Sequence, residues 1–519
     1  MRCSPCWRSS ITNLLSLRCA PSSSSSSSLA CTQSIQSNAS EDGCGNAVPS
    51  IASGWSVPSR YRQARITARA YGRPPGSRCP DRRRRYDPAV AVDAPEVTAE
   101  QLRDQTLAWL HEQLPPGWIE AIDSDDRERW GEMRAAIDYD DWCTRLGEAG
   151  YATPTWPQEY GAGLSLTPGQ AKHVNDVLNH YKAPRPFNII GIGMGGPTII
   201  TWGTEEQKHK FLRGLATNEE IWCQLFSEPG AGSDVAGLST RAVRDGDEWI
   251  VTGQKVWTTV AHIARYGMLV ARTNPDVPKH KGLSYFVLDM QAPGVDVRPL
   301  VQITGDAEFN EVFMEEVRIP DSMRVGPEGE GWRVAVTTLM NERVALSGAG
   351  SLGGEAVGGS ALDRLLTRHA DVTDPRMRQR LAQAYIENRL IRLNNQRAAD
   401  RRKSGAEAGP EGSITKLMQA EYNQRLQKLA IDLEGARGMA WEGRELRLAG
   451  TEERGMAWMT AESDASRDIA RGFLRAQANT IEGGTSNVMR NILGERVLGL
   501  PKEPDSSREL PWKDVPRSA

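Results

Sequence analysis

The sequence lacks a run of apolar residues long enough to cross a membrane. Its longest mostly apolar stretch, residues 187–200, is shorter than the roughly 18 residues that a membrane-spanning helix needs, so no stable membrane insertion is expected. It also lacks the Gly-X-Y period of collagen. With 39% hydrophobic residues, 25% charged residues and a net charge of −3 over 519 residues, it is not a wholly disordered chain. These properties indicate a globular protein with room for about three domains.

Lysine and cysteine are unevenly distributed. Residues 1–87 contain 13 Arg, no Lys, four acidic residues and six of the eight Cys. They show no apolar periodicity that could build a core, so we predict a disordered extension. Its Arg- and Ser-rich composition fits an organellar transit peptide, and a wrongly assigned start site would explain it as well. The basic run at residues 82–85 lacks interleaved aromatics, so no nucleic-acid partner is expected.

Cysteine is scarce in the rest of the chain, where only Cys143 and Cys223 occur. Two cysteines make no disulfide framework, which favours a reducing compartment. We therefore expect a cytoplasmic protein, or a mitochondrial-matrix protein if residues 1–87 are a genuine transit peptide. The cysteines of the extension lack paired C-x-x-C spacing and a nearby His, so no metal site is predicted.

The pattern of the folded part changes twice along the chain. Residues 88–220 have helical spacing and helix-capping signals, which predict an N-terminal α-helical domain. Residues 221–328 contain short runs of Val, Ile, Phe and Trp between Gly, Pro and Asp, which indicate a middle antiparallel β-domain. Residues 329–505 return to helical spacing as a C-terminal bundle, and residues 506–519 are assigned to a tail. Helices, strands and helices without βαβ alternation indicate an α+β fold.

Three helices are predicted in more detail. One spans residues 126–147. A second starts at Asp374-Pro375, a cap followed by proline, and carries an apolar face. A third spans residues 414–433, and Gly435 is the residue that terminates it. This helix is too apolar to be exposed to solvent, which favours an oligomer. The face of the second helix is formed by Met377, Leu381, Ile386, Leu390 and Leu393.

A Gly-x-Gly-x-x-Gly match at residues 348–353 raises the possibility of a dinucleotide-binding fold. Such a fold needs an apolar strand after the following helix, and the sequence continues instead with polar residues and another helix. We therefore interpret these small residues as positions where helices approach closely.

The segment from Gln224 to Asp234 combines glycines with hydroxyl side chains. Gly230 and Gly232 let backbone amides approach a ligand, and Trp257 farther along offers a flat stacking surface. An aromatic plane beside clustered hydroxyls suits a flat heteroaromatic cofactor. The same composition also fits an ordinary surface loop, so the residue chemistry alone leaves both alternatives open.

Over about residues 97–501 the sequence resembles the acyl-CoA dehydrogenase family. The resemblance implies the same three-domain fold, bound FAD, α,β-dehydrogenation of an acyl-CoA, electron transfer to an electron-transferring flavoprotein, and a homodimer or homotetramer. The motifs that carry it, in order, are residues 224–234, Trp257-Thr258-Thr259, Val317-Arg318-Ile319-Pro320, residues 339–343, residues 480–487 and Arg490-Asn491-Ile492-Leu493.

The resemblance also assigns site residues. Ser227 would meet the flavin ring near its reactive nitrogen, and Ser233 would contact the CoA portion of the substrate. The cofactor-binding residues implied are Gln224, Phe226, Ser227, Trp257, Thr259, Thr485 and Asn487. The substrate-binding residues implied are Ser233, Asn341 and Arg343.

The family's reaction needs one carboxylate to take the α-proton, and two glutamates are candidates for this base. In one arrangement the base directly precedes Gly-Thr-Ser; here Gly483 occupies that position and Glu482 lies one residue earlier. In the other arrangement the base is on a helix before an Arg, which Glu342-Arg343 matches. Each could instead be an ordinary solvated carboxylate. We favour Glu342 as the catalytic base, with Glu482 as the alternative.

The sequence departs from the family at two places. The Arg-x-x-Phe-Gly stretch that reaches the partner subunit's FAD is missing, and a Gly-Gly contact to the flavin pyrophosphate is replaced by Gly435-Ala436. These departures keep two alternatives open. The chain could be a non-catalytic subunit of a heteromeric complex, or a flavin monooxygenase or oxidase on the same fold.

Overall fold

The computed structural model of the protein describes residues 97–346, 359–403, 412–439 and 469–516. The predicted extension (residues 1–87) and the glycine motif at residues 348–353 lie outside these residues. Within the described ranges, no helix is both long enough and apolar enough to cross a bilayer.

Helices form the first described part of the chain. The predicted start at Thr98 is confirmed, because its side chain accepts from the Gln101 amide at 3.2 Å and the Gln101 side chain accepts from the Thr98 amide at 2.9 Å. The single helix predicted over residues 126–147 is wrong. Asp138 starts a new helix by accepting from the Asp141 amide at 3.1 Å. The helices are α1 (Ala99–Gln113), α2 (Trp118–Asp123), α3 (Arg127–Ala136), α4 (Tyr139–Glu148), α5 (Pro168–His180), α6 (Gly196–Trp202) and α7 (Glu205–Ala216), with a π-helical turn at Gly191–Gly195 before α6.

A seven-stranded sheet follows, in the order β1-β4-β2-β3-β7-β6, with β5 paired to β4. Most neighbouring strands are antiparallel as predicted, but β1 and β4 are parallel, and β2 meets β4 in parallel at one pair. The chain between β1 and β4 contains β2 and β3, and a parallel pair requires such a long connection. The strands are β1 (Trp222–Leu225), β2 (Arg241–Asp245), β3 (Glu248–Thr259), β4 (Tyr266–Arg272), β5 (Leu283–Asp289), β6 (Val295–Leu300) and β7 (Phe309–Pro320).

The rest of the described chain is again helical. The predicted helix start at Asp374-Pro375 is confirmed, with the Asp374 carboxylate accepting from the Arg376 amide at 2.9 Å. The long helix α11 ends before Gly435, which has a φ of +59°. The helices are α8 (Gly331–Leu346), α9 (Gly359–Arg368), α10 (Pro375–Lys403), α11 (Gly412–Glu434), α12 (Ile469–Ala476) and α13 (Ser486–Ile492).

The apolar faces of α10 and α11 differ from the prediction. On α10, Leu381 is buried, but Ile386, Leu390 and Leu393 are 49%, 49% and 60% exposed. On α11, Tyr422 and its apolar neighbours pack against α9 and α10. The uncovered apolar face therefore lies on α10, because the chain's own helices cover much of α11.

Buried contacts fix the sheet and α8 relative to the first helices. Phe211 on α7 packs edge-on against Trp222 on β1, with ring centroids 5.2 Å apart. On α8, the Thr338 hydroxyl lies 2.9 Å from that of Thr198 on α6 and 3.2 Å from that of Tyr285 on β5. These three hydroxyls are buried, so they hold α8 in place one helical turn before Glu342.

Candidate active site

The carboxylate of Glu342 lies beside the glycine- and hydroxyl-rich segment. Nε2 of Gln224, at the end of β1, is 3.5 Å from Oε2 of Glu342 on α8. Both side chains are half-buried. The fold thus brings together two residues that are 118 positions apart in the chain. They belong to two of the motifs that carry the resemblance, residues 224–234 and residues 339–343.

The other candidate base, Glu482, is held by two neighbours. Its carboxylate accepts from Arg475 Nη2 at 3.0 Å and from Asn479 Nδ2 at 2.6 Å. The next residues, Gly483 and Gly484, have φ of +61° and +96°, a region that disfavours side chains with a Cβ. A glutamate at position 483 would be strained, and Glu482 is instead committed to an ion pair.

Lys416 on α11 connects the surroundings of the two carboxylates. Its Nζ donates to the carbonyl oxygen of Asn479 at 2.7 Å. Burial lowers the pKa of Lys416, and the negative charges of Glu482 and Glu342 partly oppose this shift. Both candidate bases therefore lie within electrostatic reach of one half-buried cation.

A buried ion pair anchors the segment that begins at Gln224. Lys255 Nζ donates to Glu228 Oε1 at 2.9 Å and to the Phe226 carbonyl at 3.0 Å. Glu228 also accepts from the amides of Ser239 and Thr240 at 2.6 and 2.9 Å. Burial alone would raise the pKa of Glu228, but the Lys255 charge and these hydrogen bonds hold it below its usual value. Sequence reasoning missed this pair. The available signal was a lysine at an inward position of an apolar strand.

Trp257 sits at an irregularity of β3. The pairing of β3 with β7 shifts between Lys255 and Thr258, and Trp257 adopts a φ of +61°. Its indole is 60% exposed and contacts the Phe309 ring edge-on, with centroids 5.8 Å apart. Bulky residues rarely adopt this backbone conformation, and such outliers cluster at functional sites. The bulge presents a flat aromatic face outward.

Four more of the predicted site residues lie in this region, and their side chains differ in burial. Ser227 is half-buried, and its carbonyl accepts from the Val256 amide at 2.9 Å, which places it beside the strand that carries Trp257. Thr259 pairs with Phe309 across β3 and β7. Phe226 is 4% exposed, so its side chain belongs to the core and its carbonyl is the group that contacts the ion pair. Ser233 is exposed in the loop that follows.

Thr485 and Asn487 line a cavity of about 420 Å³ between α11 and the start of α13. The Thr485 hydroxyl accepts from the Val488 amide at 3.2 Å and thereby caps α13. The Ser486 hydroxyl is buried and finds no hydrogen-bond partner among the described residues. An unsatisfied buried hydroxyl at a cavity wall fits a polar ligand. The cavity is lined by Glu421, Gln424, Arg425, Thr480, Ile481, Thr485, Ser486 and Asn487.

Asn341 and Arg343, the predicted substrate-binding residues on either side of Glu342, are described to different extents by the structure. Asn341 donates its side-chain amide to the Thr337 carbonyl at 3.0 Å, one turn back on α8, so that bond is local. Arg343 continues the helix, and its side chain lies outside the described part of the chain.

Arg475 on α12 is a further residue that sequence reasoning did not select. Besides Glu482, its guanidinium lies 3.6 Å from the buried carboxylate of Glu308 and 6.0 Å from the centre of the Phe309 ring. It therefore links the loop of Glu482 to the ring that supports Trp257. No local signal marks this arginine, because its neighbours Glu308 and Phe309 lie at the start of β7, far from it in the sequence.

Comparisons with known proteins agree along the chain. The model of the acyl-CoA dehydrogenase N-terminal domain matches residues 97–219, the middle-domain model matches residues 223–317, and the C-terminal-domain model matches residues 329–498.

Named relatives and a solved structure give the same result. The acyl-CoA dehydrogenase IpdE1 of Mycobacterium tuberculosis is 36% identical over 411 residues, covering 78% of this chain and 98% of the relative. The acyl-CoA dehydrogenase FadE34 of the same organism is 39% identical over 358 residues, which is 69% of this chain and 46% of FadE34. The solved structure of the Tcur3481-Tcur3483 steroid ACAD is 28% identical, with a TM-score of 0.58, 78% of this chain covered and 98% of that one.

Proposed function

Because the chain belongs to the acyl-CoA dehydrogenase family, we propose that it catalyses the FAD-dependent α,β-dehydrogenation of an acyl-CoA thioester with Glu342 as the base. The observation that carries this proposal is the approach of Glu342 to Gln224, which brings a half-buried carboxylate to the segment 224–234. Like the other members of its family, the enzyme is an oxidoreductase that acts on acyl-CoA.

The cofactor of the family is FAD, and the residues of this chain fit it. The outward indole of Trp257, in a conformation that bulky residues rarely adopt, offers the plane against which an isoalloxazine stacks. Ser227 and Thr259 supply hydroxyls near it, and Thr485 and Asn487 offer polar groups at the cavity beside α13. Bound FAD supplies the acceptor for the hydride that leaves the β-carbon.

The contribution of Glu342 is to take the α-proton. It lies on α8, which the buried Thr338 hydroxyl holds in place one turn earlier, so the backbone that carries the carboxylate has a fixed position. The half-buried Glu342 carboxylate also lies within electrostatic reach of the Lys416 ammonium group on α11.

For the substrate, we propose a steroid-derived acyl-CoA. The support is the likeness to a steroid ACAD at 28% identity over 98% of that chain. The test is an anaerobic titration of the purified yellow holoenzyme with straight-chain, branched and steroid-derived acyl-CoAs. We expect the flavin absorbance to bleach fastest with the steroid-derived thioester. Bleaching by straight-chain thioesters alone would contradict the substrate, and bleaching by none would contradict the reaction.

The same preparation tests the proposed electron acceptor and the alternatives. We propose an electron-transferring flavoprotein as acceptor, so adding one should reoxidise the bleached enzyme. Rapid oxygen uptake instead would favour the oxidase or monooxygenase alternative. A colourless protein that binds FAD only with a second chain would favour the heteromeric subunit, and the steroid ACAD relative is named for such a pair of chains.

We also propose a homo-oligomer and a cytoplasmic location. The exposed apolar face of α10 (Ile386, Leu390 and Leu393) supports the first, because water-exposed leucines in a row mark association surfaces. In the described part of the chain Cys143 and Cys223 are buried free thiols, which fits a reducing compartment. Size-exclusion chromatography and cell fractionation test these two statements.

A further inference from the structure

Residues 511–513, which we call the strap, run along the loop between β4 and β5. The Trp512 amide donates to the Val277 carbonyl at 2.9 Å, and the Lys513 amide donates to the Pro275 carbonyl at 3.1 Å. Lys513 Nζ also forms an ion pair with Asp276 at 2.7 Å. The sequence placed these residues in a tail, but the strap is bonded to the sheet domain through backbone and side chain.

The strap meets a buried arginine. Arg272, at the end of β4, is 3% exposed, and the ring of Trp512 covers it with the guanidinium carbon 4.2 Å from the ring centre. Its guanidinium donates to the carbonyls of Ala236, Leu238 and Lys279 at 2.7, 3.2 and 3.1 Å. An indole over this guanidinium adds a cation–π contact and excludes water from the three hydrogen bonds.

Two of the three carbonyls that Arg272 binds, those of Ala236 and Leu238, belong to the segment that carries Ser233. This segment, residues 233–238, receives two more contacts. Lys279 Nζ pairs with the Asp234 carboxylate at 2.7 Å, and Trp512 Nε1 donates to the Gly237 carbonyl at 3.2 Å. The segment of the exposed Ser233 is therefore held by contacts from Arg272, Lys279 and Trp512.

We propose that Trp512 is a positioning residue for acyl-CoA: by covering Arg272 it holds residues 233–238 in the conformation in which Ser233 contacts the CoA portion of the substrate. The inference rests on the proposed function for its substrate. The role assigned to Trp512 and Arg272 concerns the binding of the thioester and not the proton transfer to Glu342. Loss of the indole should therefore raise KM for the thioester and leave kcat unchanged.

The test compares variants of the full-length holoenzyme, with the acyl-CoA that bleaches the flavin fastest as substrate. We expect Trp512→Ala to raise KM about tenfold with kcat within about twofold of wild type, since a desolvated cation–π contact is lost. Trp512→Phe keeps an aromatic face over Arg272 and should restore most of the affinity. Leu510→Ala, two residues away and 39% exposed, is the matched control and should match wild type.

Hydrogen exchange gives a readout that does not depend on turnover. In Trp512→Ala the amides of residues 233–238 should exchange about tenfold faster than in wild type, while those of α1 should not change. Should Trp512→Ala fail to fold, Trp512→Leu, which fills much of the volume without a π face, takes its place. An unchanged KM, or faster exchange without a change in KM, would overturn the inference.

Failure of the proposed function gives a different pattern. If no acyl-CoA bleaches the wild-type flavin, a calorimetric titration with CoA itself decides the inference. Weaker CoA binding by Trp512→Ala than by wild type would support the strap's role although the reaction was wrong. Equal CoA affinity of the two proteins, or no CoA binding by wild type, would overturn it.

Discussion

Lys255 and Glu228 form an ion pair of 2.9 Å in which the lysine is 0% exposed and the glutamate 8%. Glu228 directly follows Ser227, and Lys255 precedes Trp257 by two residues. The pair therefore fixes, relative to each other, the segments of Ser227 and Trp257, which we propose to contact the flavin. A buried ion pair adds little net stability by itself, but losing one partner leaves a charge without compensation.

Removing the lysine charge should destabilise the fold. We expect Lys255→Met to lower the free energy of unfolding by about 3–5 kcal/mol, because the Glu228 carboxylate stays buried without its cation. The double variant Lys255→Met/Glu228→Gln should lose less than the single variant. Denaturant unfolding of the holoenzyme measures this, with Lys428→Met on the exposed side of α11 as control. A Lys255→Met protein as stable as wild type would show that the pair carries no structural role.

Acid should weaken the contact between β3 and the turn after β7. Arg324 and the indole of Trp249 hold the pKa of Asp321 at about 2, below its ordinary value of 3.8. Because the folded-state pKa is lowered, the stabilisation is present above about pH 4 and is lost as the pH falls through 2. Asp321→Asn should therefore cost about 1 kcal/mol at neutral pH, since partial exposure screens the ion pair, and progressively less toward pH 2. A difference independent of pH, in unfolding curves of both proteins, would contradict this assignment.

Local signals in the sequence predicted local structure. The cap at Thr98 and the Asp374-Pro375 start depend on residues within one helical turn, and both are confirmed. The face of α10 was wrong beyond Leu381, because this 29-residue helix carries apolar residues on both sides and spacing alone does not say which side meets α11. Packing against the neighbouring helices α9 and α11 decides that.

Contacts between distant residues were accessible only through the family resemblance or not at all. The resemblance selected Gln224 and Glu342 separately, and their approach across 118 residues comes from the packing of α8 on the sheet. The pairing of Lys255 with Glu228 joins residues 27 positions apart, which no pattern of alternation reveals. The strap was missed because its partners are mostly backbone carbonyls.

The two tryptophans of β3 should respond differently to truncation. Trp257→Ala should weaken FAD binding about tenfold, because it removes a stacking plane. Trp249 is 1% exposed and donates to Asp321 at 2.7 Å, so Trp249→Ala should instead destabilise the fold by about 3–5 kcal/mol. Flavin content per folded protein and thermal unfolding separate the two effects. Undiminished FAD affinity in Trp257→Ala would exclude it from the flavin site.

A charge on α10 should disrupt association. Leu390 is 49% exposed at the centre of the apolar face, and Leu390→Glu would place a carboxylate in the proposed interface. We expect the variant to elute as a smaller species in size-exclusion chromatography at the same protein concentration. Lys428→Glu, exposed on α11 and not part of this face, is the control and should elute like wild type. A wild-type monomer, or a variant that elutes unchanged, would place the interface elsewhere.

The choice between the two candidate bases is the sharpest question that the site poses. Glu342→Gln should lower kcat by about 2–4 orders of magnitude or more, because a general base is removed. The amide keeps the size of the side chain and part of its hydrogen bonding, so folding and the affinities for FAD and acyl-CoA should remain close to wild type. Rapid-mixing measurements of flavin bleaching report the chemical step directly.

Glu482→Gln provides the comparison, since both glutamates lie within reach of Lys416 but only Glu342 approaches Gln224. Glu482 is bound to Arg475 and Asn479, so its loss should cost some stability in the loop before α13 and only a small part of the bleaching rate. Gly483 and Gly484 follow Glu482 with positive φ, and the Glu482 carboxylate lies 3.0 Å from Arg475. If Glu482→Gln abolished bleaching while Glu342→Gln retained it, the base would lie in the loop; if both variants stayed fully active, proton abstraction by either glutamate would be wrong.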